Sequence, residues 1–491
     1  MFTAVLDTLL VFMLASSGVG ILAERIGITK IRDAFAVVGF LLAGYFAFGL
    51  LGEVSKGIIV RDFSPYVPPV GACFEIDGLS VFMALTFTML SALVSVFSIR
   101  YMEHDENLTE YYVLLFGMVA GMVGVVFAGD FFTFFIFWEL MCITSYVLVG
   151  FRRRRWAPIE ASFKYLIMSA FGSVTLALMM SFLYGMTGTL NFALLSSTLR
   201  GTMMGPWLYV VLIGLLIGFG IKSSIVPMHT WLPDAHPEAP STISALLSGI
   251  IIETGLYGLA RVLSLLFDLN IYSLLIAGFA VLTMTVANFL ALLQEDIKRL
   301  LAYSSIAQMG YMLIGIATGT LYGIMGTFLH VFNHALMKGL AFLSIGAILH
   351  QTGTRNMRKL AGIGRSMPIT FSAFTIALFG LGGIPATNGF ISKFILFMST
   401  FEVNMAWLGI IGVLNSAFSV AYYIRLVKTM ITEPKQRIPV KEAPPTMLLV
   451  LCTMAFLIIL FGIWPQPVLV LAERASTSLL SFQDYTRVIV G

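Results

Sequence analysis

Five charged side chains lie in stretches of the sequence that are otherwise apolar enough to be membrane spans: Glu139, Lys222, Glu253, Lys338 and Lys393. A single charge at the centre of a bilayer costs about 2.5–3.5 kcal/mol on insertion scales. A carboxylate and a lysine whose separation changes take up and release protons. Charges of both signs in several spans therefore indicate a proton or cation pathway through the membrane.

Glu139 and Lys222 are predicted to form the coupled pair of the first half of the chain. Glu139 lies in FFTFFIFWELMCITSYVLVGF, and Lys222 lies just before Pro227. Glu253 follows in the next span, which gives the order acid, base, acid. A static buried ion pair that joins two helices is the alternative interpretation.

The second half contains a helical pattern, because His330, His334 and Lys338 recur every four residues and so share one face of a helix. Two histidines one turn apart could relay protons towards Lys393. They could also form hydrogen bonds that hold helices together. The H-x-x-x-H spacing fits zinc, but no glutamate follows the first histidine and no third ligand is evident, so we predict no metal here.

Two further groups of polar residues flank these candidates. Ser304, Ser305 and Gln308 could hold water between the halves, although such residues more often pack helices together. A possible proton port, which could equally be a solvated loop, consists of His229, Asp234, His236 and Glu238.

The composition defines the elements that must position these residues. The chain has 491 residues, 58% hydrophobic and 11% charged, with a mean hydropathy of +0.94. Soluble domains are about 25% charged. We therefore predict an all-α polytopic membrane protein that binds no nucleic acid, since its basic residues lie at span ends. Cys142 is expected to be a small packing residue, and no haem, CxxC or dinucleotide motif predicts a cofactor.

Hydropathy predicts about fourteen membrane spans. They lie near 4–22, 33–51, 79–98, 111–129, 131–150, 161–184, 207–227, 242–264, 270–292, 299–319, 322–349, 370–399, 405–428 and 446–464. If both termini lie outside the plasma membrane, the inner connections hold most of the lysines and arginines, including Arg152 to Arg155. We therefore predict an even number of spans and outer termini.

Proline and glycine break the seventh and twelfth predicted spans. The broken stretches read GFGIKSSIVPMHTWLPDAHPEAP and LFGLGGIPATNGFISKF, and each has a lysine beside its break. Breaks five spans apart predict two five-helix repeats, the second inverted, since five is odd. The predicted units are an N-terminal three-helix segment 1–110, repeats 111–264 and 265–430, and a C-terminal helix and tail 431–491.

Several motifs resemble the antiporter-like proton-translocating subunits of respiratory complex I, Mrp sodium/proton antiporters and membrane-bound hydrogenases. They are FWEL, IKSSIVPMHTWLPDAHPEAPSTISALLSG, EDIKRLLAYSSIAQMGYM, HVFNHALMKGLAFL and GIPATNGFISKF, within about residues 75–430. The resemblance implies fourteen spans with inverted repeats and a hydrophilic axis at mid-membrane. It also implies that Glu139 and Lys222 are a coupled pair and that the histidines, Lys338 and Lys393 form the second-half relay. Glu253 departs from the family, where a lysine is common.

The predicted function is proton translocation, possibly with sodium/proton antiport, within a multisubunit membrane complex. The chain would carry no redox cofactor, so any redox reaction would belong to partner subunits, which would include other antiporter-like and small membrane subunits. The alternatives are a stand-alone secondary transporter of a small solute and a structural scaffold subunit with a vestigial pathway.

Overall fold

The computed structural model describes residues 2–62, 71–199, 205–433 and 440–481. Most of them are helical. The helices are α1 Phe2–Ile26, α2 Lys30–Val54, α3 Gly78–Tyr101, α4 Leu108–Phe127, α5 Phe131–Val149, α6 Trp156–Thr187, α7 Phe192–Leu199, α8 Pro206–Lys222, α9 Leu232–Glu238, α10 Ser241–Leu246, α11 Ile252–Leu266, α12 Leu269–Leu292, α13 Ile297–Thr318, α14 Leu321–Thr352, α15 Ile363–Ser366, α16 Pro368–Gly382, α17 Asn388–Glu402, α18 Ala406–Ile431, α19 Pro445–Ile463 and α20 Gln466–Leu480. A π-helical turn, Leu247–Ile251, joins α10 to α11, and a 3-10 turn spans Met357–Leu360.

Twelve helical segments in the described residues are long and apolar enough to cross a membrane, which makes this a multi-pass membrane protein. One of them, 241–266, combines α10, the π-helical turn and α11. The predicted spans 207–227 and 370–399 are not among the twelve. In their place lie the shorter apolar helices α8 and α16, of 17 and 15 residues, and each ends at a break.

The first break follows Lys222, five residues before the predicted end of the seventh span. Pro227 lies in this break, and a proline has no N–H to continue the helical ladder. The Trp231 indole donates to the Ile221 carbonyl at 2.8 Å, which satisfies one acceptor that the helix end exposes. The last turn of α8 is thereby fixed, and the Lys222 side chain with it.

The second break separates α16 from α17 and contains Pro385. Gly383 has φ of +76°, a left-handed conformation that favours glycine. Beyond the break, Gly389 lies against the Gly380 carbonyl, and a Cβ at Gly389 would lie only 2.0 Å from that oxygen. The two half-helices therefore meet at a position where only hydrogen fits.

Replacing Gly389 with alanine should destabilise the protein by about 1–3 kcal/mol, because backbone cannot yield as a flexible side chain does. The measurement is the thermal unfolding midpoint in detergent. Gly185→Ala in α6 is the matched control, since nothing lies within 4 Å of its added Cβ. An unchanged midpoint in Gly389→Ala would contradict the tight contact.

The chain is mostly helical, as predicted, but the connection after α2 also contains a small antiparallel sheet. Strand β1, Ile59–Asp62, pairs with β2, Cys73–Ile76, in the register Ile59 to Ile76. These strands are four residues long, too short for periodicity to reveal. They precede the start of α3.

Burial divides the helices into a central and a peripheral group. The 241–266 segment is completely buried, and α13 and α14 are nearly so, whereas about one third or less of α1 and α2 is buried. The central helices carry Glu253, His334 and Lys338, all fully buried. α20, which was predicted as tail, packs on α3 and α14. The last tail residues, 482–491, lie outside the described part of the chain.

A buried ion pair ties α11 to the start of α3. Arg261 Nη1 lies 2.6 Å from Asp77 Oδ2, and Asp77 also accepts from the Ser80 amide. Burial alone would raise the pKa of Asp77, but the Arg261 guanidinium and Ser80 outweigh it and hold that pKa below its usual value. The pair fixes the helix that carries Glu253.

Candidate functional site

Lys222 is buried at the end of α8 and contacts neutral groups. Its Nζ donates to the Tyr165 hydroxyl at 2.7 Å and lies 3.3 Å from Cys142 Sγ. The Tyr165 hydroxyl also pairs with Ser145 Oγ at 2.9 Å. Tyr165 and Cys142 were not predicted as site residues, and Cys142 does more than fill space.

Glu139 is not in contact with Lys222. It lies one helical turn before Cys142 on α5 and is partly exposed, and its Oε1 is buried without a hydrogen-bond partner. Among the described residues no ion pair joins Glu139 to Lys222. Cys142, which contacts Lys222, lies on the same helix as Glu139, so the predicted coupling of the acid and the base stays a prediction.

Glu253 contacts a histidine of the second half. Its Oε1 lies 2.6 Å from His334 Nδ1, and both side chains are fully inaccessible to solvent. Glu253 is the second residue of α11, immediately after the π-helical turn. The second oxygen of Glu253 and Nε2 of His334 have no partner among the described residues, so the pair is poised for further hydrogen bonding.

His330 uses both of its ring nitrogens within the protein. Nδ1 pairs with Ser392 Oγ on α17 at 2.8 Å, and Nε2 pairs with Gln308 Oε1 on α13 at 3.0 Å. The ring centroids of His330 and His334 are 6.2 Å apart. Because the His330 nitrogens are occupied, the geometry does not favour a metal at this pair.

Lys338 points towards α13. Its Nζ donates to Ser304 Oγ at 2.6 Å and to the Leu301 carbonyl at 2.9 Å. Ser304 is also hydrogen-bonded to Tyr423. In the described structure no carboxylate forms an ion pair with Lys338, so its neighbours are neutral acceptors.

Lys393 lies beside the second break. Its Nζ donates to the Leu381 carbonyl at 2.6 Å and to Ser416 Oγ at 3.0 Å, and it lies 4.6 Å from the centre of the Tyr311 ring. The Leu381 carbonyl is available because α16 ends at Gly382 and leaves its last acceptors unpaired.

A row of buried polar groups, which we call the central row, extends through the second half, and hydrogen bonds join its members except between His330 and His334, whose ring centroids are 6.2 Å apart. Gln308 Nε2 donates to the same Leu381 carbonyl at 3.2 Å, while its Oε1 meets His330. The row therefore runs from Lys393 through the Leu381 carbonyl, Gln308, His330 and His334 to Glu253. α11 packs closely against the end of α8 in the first half, because a Cβ added at Gly255 would lie 3.1 Å from Lys222 Cβ.

Ser305 lies beside the row rather than in it. Its hydroxyl pairs at 2.6 Å with Ser248, which lies five residues before Glu253 in the chain. Three polar residues of α13 thus each pair with a side chain outside α13: Ser304 with Lys338, Ser305 with Ser248, and Gln308 with His330.

The four residues of the possible proton port do not form one cluster. The carboxylates make ion pairs: Asp234 with Lys164 at 3.3 Å and with Arg299 at 3.2 Å, and Glu238 with Arg355 at 2.9 Å. These ion pairs neutralise the carboxylates and hold the segment that contains Asp234 and Glu238 against α6 and α13.

The two histidines of that segment lie apart. His229 is partly exposed beside Tyr303. His236 is fully buried with its ring stacked on Phe342, and neither ring nitrogen has a partner among the described residues. Burial, together with the charges of Lys298 and Lys338, holds the pKa of His236 well below its usual value.

The chain matches sequence profiles of known membrane subunits. Residues 128–419 match the family described as NADH:quinone oxidoreductase/Mrp antiporter, TM, and residues 69–112 match the complex I chain 5 N-terminus. F(420)H(2) dehydrogenase subunit N of Methanosarcina mazei is 34% identical, with 91% of this chain and 93% of that protein covered. NADH-quinone oxidoreductase subunit N of Trichlorobacter lovleyi is 36% identical, with coverage of 80% and 82%.

Solved structures share the fold. A chain of the archaeal membrane-bound sulfane sulfur reductase superposes with a TM-score of 0.91 at 28% identity, over 99% of this chain and 100% of that one. A chain of the Mrp complex from Dietzia also reaches 0.91, at 22% identity, over 100% and 99%. The chain therefore belongs to the NADH:quinone oxidoreductase/Mrp antiporter family of membrane subunits.

Proposed function

We propose that this chain is a proton-translocating subunit of a multisubunit membrane complex. The observation that carries the proposal is the central row, in which buried polar groups follow one another from the second break to Glu253, hydrogen-bonded from Lys393 to His330 and again from His334 to Glu253. Buried ionisable groups in a membrane protein mark ion pathways by default. Sodium/proton exchange is the second candidate, supported by the membership of Mrp antiporters in the family.

The site residues have different roles in this proposal. Glu139 and Lys222 serve the first half, and His330, His334, Lys338 and Lys393 serve the second. Glu253 connects the halves, because its partner His334 lies on α14 while α11 touches Lys222 through Gly255. A charge change at either end would alter the protonation of its neighbours, since interactions in a low-dielectric interior are weakly screened.

We propose fourteen membrane spans, with the seventh and twelfth discontinuous. The twelve long helical segments are completed by α8 with its following turns and by α16 with α17. The proposed units are a three-helix segment 1–110, inverted five-helix repeats 111–264 and 265–430, and a C-terminal segment 431–491. Matching breaks beside Lys222 and Lys393 support the repeat.

We further propose that the protein lies in the plasma membrane with both termini on the outer side. The basic cluster Arg152 to Arg155 then faces inward, in agreement with the charge rule for membrane connections. The partners would be other antiporter-like subunits and small membrane subunits, which could cover the exposed apolar faces of α1 and α6.

Replacing Glu139 with glutamine tests whether the pathway is active or vestigial. We expect proton flux in inverted vesicles to fall by about tenfold, the equivalent of 1.4 kcal/mol. The loss should be partial because Lys222 already has Tyr165 and Cys142 as acceptors. Glu160→Gln is the matched control, since Glu160 pairs with Lys164 at the surface. Full flux in an intact Glu139→Gln complex would favour a scaffold subunit.

A stand-alone solute transporter is not favoured. The solved chains that share this fold are described as parts of an Mrp complex and of an archaeal respiratory membrane complex. Purification under mild conditions discriminates between the two: a monodisperse single chain with solute-dependent flux would support the transporter, and co-purifying membrane subunits would support our proposal.

A further inference from the structure

Three side chains of types that commonly bind metals lie together outside the central row: Glu103, His104 and His350. One ligand atom of each lies within 4.8 Å of the other two. Glu103 and His104 belong to the connection between α3 and α4, whereas His350 lies in the last turn of α14. A metal motif could not be recognised here from the sequence, because His104 and His350 are far apart along the chain.

The distances are close to those of a tetrahedral metal centre. Glu103 Oε1 and His104 Nε2 are 3.6 Å apart. Bonds of about 2.0–2.1 Å at tetrahedral angles would place two ligand atoms about 3.4 Å apart. The His104 side chain is 81% exposed and can rotate, so drawing the ligands together requires no movement of the core.

Glu103 is held in place with one oxygen free. Its Oε2 accepts from Arg100 Nη1 at 2.7 Å, which leaves Oε1 facing His104. The neighbouring Arg152 is paired with Asp105 at 2.8 Å. Arg100 and Arg152 are thus each paired with a carboxylate, and their repulsion of a cation is reduced.

His350 supplies the strongest sign of a missing partner. Both of its ring nitrogens are buried, and neither has a hydrogen-bond partner among the described residues. Its ring lies nearly parallel to that of His104, with an interplanar angle of 12° and centroids 6.2 Å apart. A buried polar group without a partner costs about 1–3 kcal/mol. A cavity of about 580 Å³ beside His350 and Tyr101 gives a small ion access.

We propose that Glu103, His104 and His350 bind a divalent first-row transition metal, with zinc the best fit. Two imidazoles and one carboxylate suit zinc, whereas calcium and magnesium require oxygen ligands. Three protein ligands leave the fourth position for water. The metal would fasten the α3–α4 connection to the helix that carries His330, His334 and Lys338. This site does not depend on the proposed function.

Zinc binding to the purified, chelator-treated complex tests the site. Equilibrium dialysis with Zn²⁺ should show that each chain binds one zinc ion. His104→Ala should weaken the affinity for zinc by at least about tenfold, since even an outer-shell change costs 10–100-fold in affinity. The exposed His104 can be replaced without harm to folding. His350→Gln should act similarly, and His229→Gln is the matched control at a histidine outside the site.

A second measurement separates a site from loose surface binding. Zinc should raise the thermal midpoint of the wild-type complex and leave that of His104→Ala unchanged, because a ligand that binds the folded state stabilises it. Equal zinc affinity in the wild type, His104→Ala and His350→Gln would overturn the proposal. Displacement of zinc by excess Mg²⁺ would overturn it as well.

Discussion

Replacing Lys222 with alanine should abolish proton flux through the complex. Lys222 is the buried lysine of the first half, and no second lysine or arginine contacts Tyr165 or Cys142 among the described residues. Without it, the Tyr165 hydroxyl retains Ser145 but loses its charged neighbour, so a proton has no buried base to occupy. The measurement is pH-gradient formation in proteoliposomes that contain the assembled complex.

Lys222→Met serves as the second variant, because it keeps most of the volume and avoids a cavity. Lys164→Ala is the matched control: its lysine also lies in the first half, but it is half-exposed and forms surface ion pairs with Glu160 and Asp234. Subunit composition must be normal in all three. Wild-type flux in assembled Lys222→Met would refute the assigned role.

Replacing Glu253 with glutamine should reduce proton flux by about 100-fold, the lower range of what a positioned proton-transfer group contributes. Glutamine fills the same space and retains a hydrogen bond to His334, but it carries no charge and takes up no proton. The change therefore removes the chemistry of the pair while largely preserving its packing. Flux at matched protein content in inverted vesicles is the readout.

A double-mutant comparison sharpens this second experiment. Because Glu253 and His334 act as a unit, His334→Gln should reduce flux much less in the Glu253→Gln background than in the wild type, so the two losses should not add. Glu295→Gln is the control, since its exposed carboxylate pairs with Arg358 at the surface. Additive losses would mean that the two residues act separately.

Hydropathy and proline positions predicted much of the architecture. The breaks at Pro227 and Pro385 follow from local chemistry, because a proline in a helix interior removes a backbone donor and clashes with the preceding turn. Burial of Glu253, Lys338 and Lys393 was likewise expected from the apolar stretches around them. The sheet near Cys73 was not predicted.

The rotation of each helix against its neighbours could not be predicted from the sequence. His330, His334 and Lys338 were placed on one face, yet a step of four residues turns a helix by about 40°, and eight residues turn it by about 80°. In the structure His330 contacts α13 and α17, His334 contacts α11, and Lys338 contacts α13, which depends on where each neighbouring helix crosses α14. The same limitation hid the contacts of Lys222 with Tyr165 and Cys142.

The acceptor that Lys393 shares with Gln308 is a main-chain oxygen, that of Leu381. Any amino acid other than one that breaks the helix supplies the same oxygen at position 381, so this contact itself sets no requirement on the side chain there. A comparison of aligned residues would therefore overlook this link. Substitution of Leu381 would also fail to detect this link, because the main-chain oxygen stays in place. Inserting one residue into α16 would shift the register of the helix and thereby test the link.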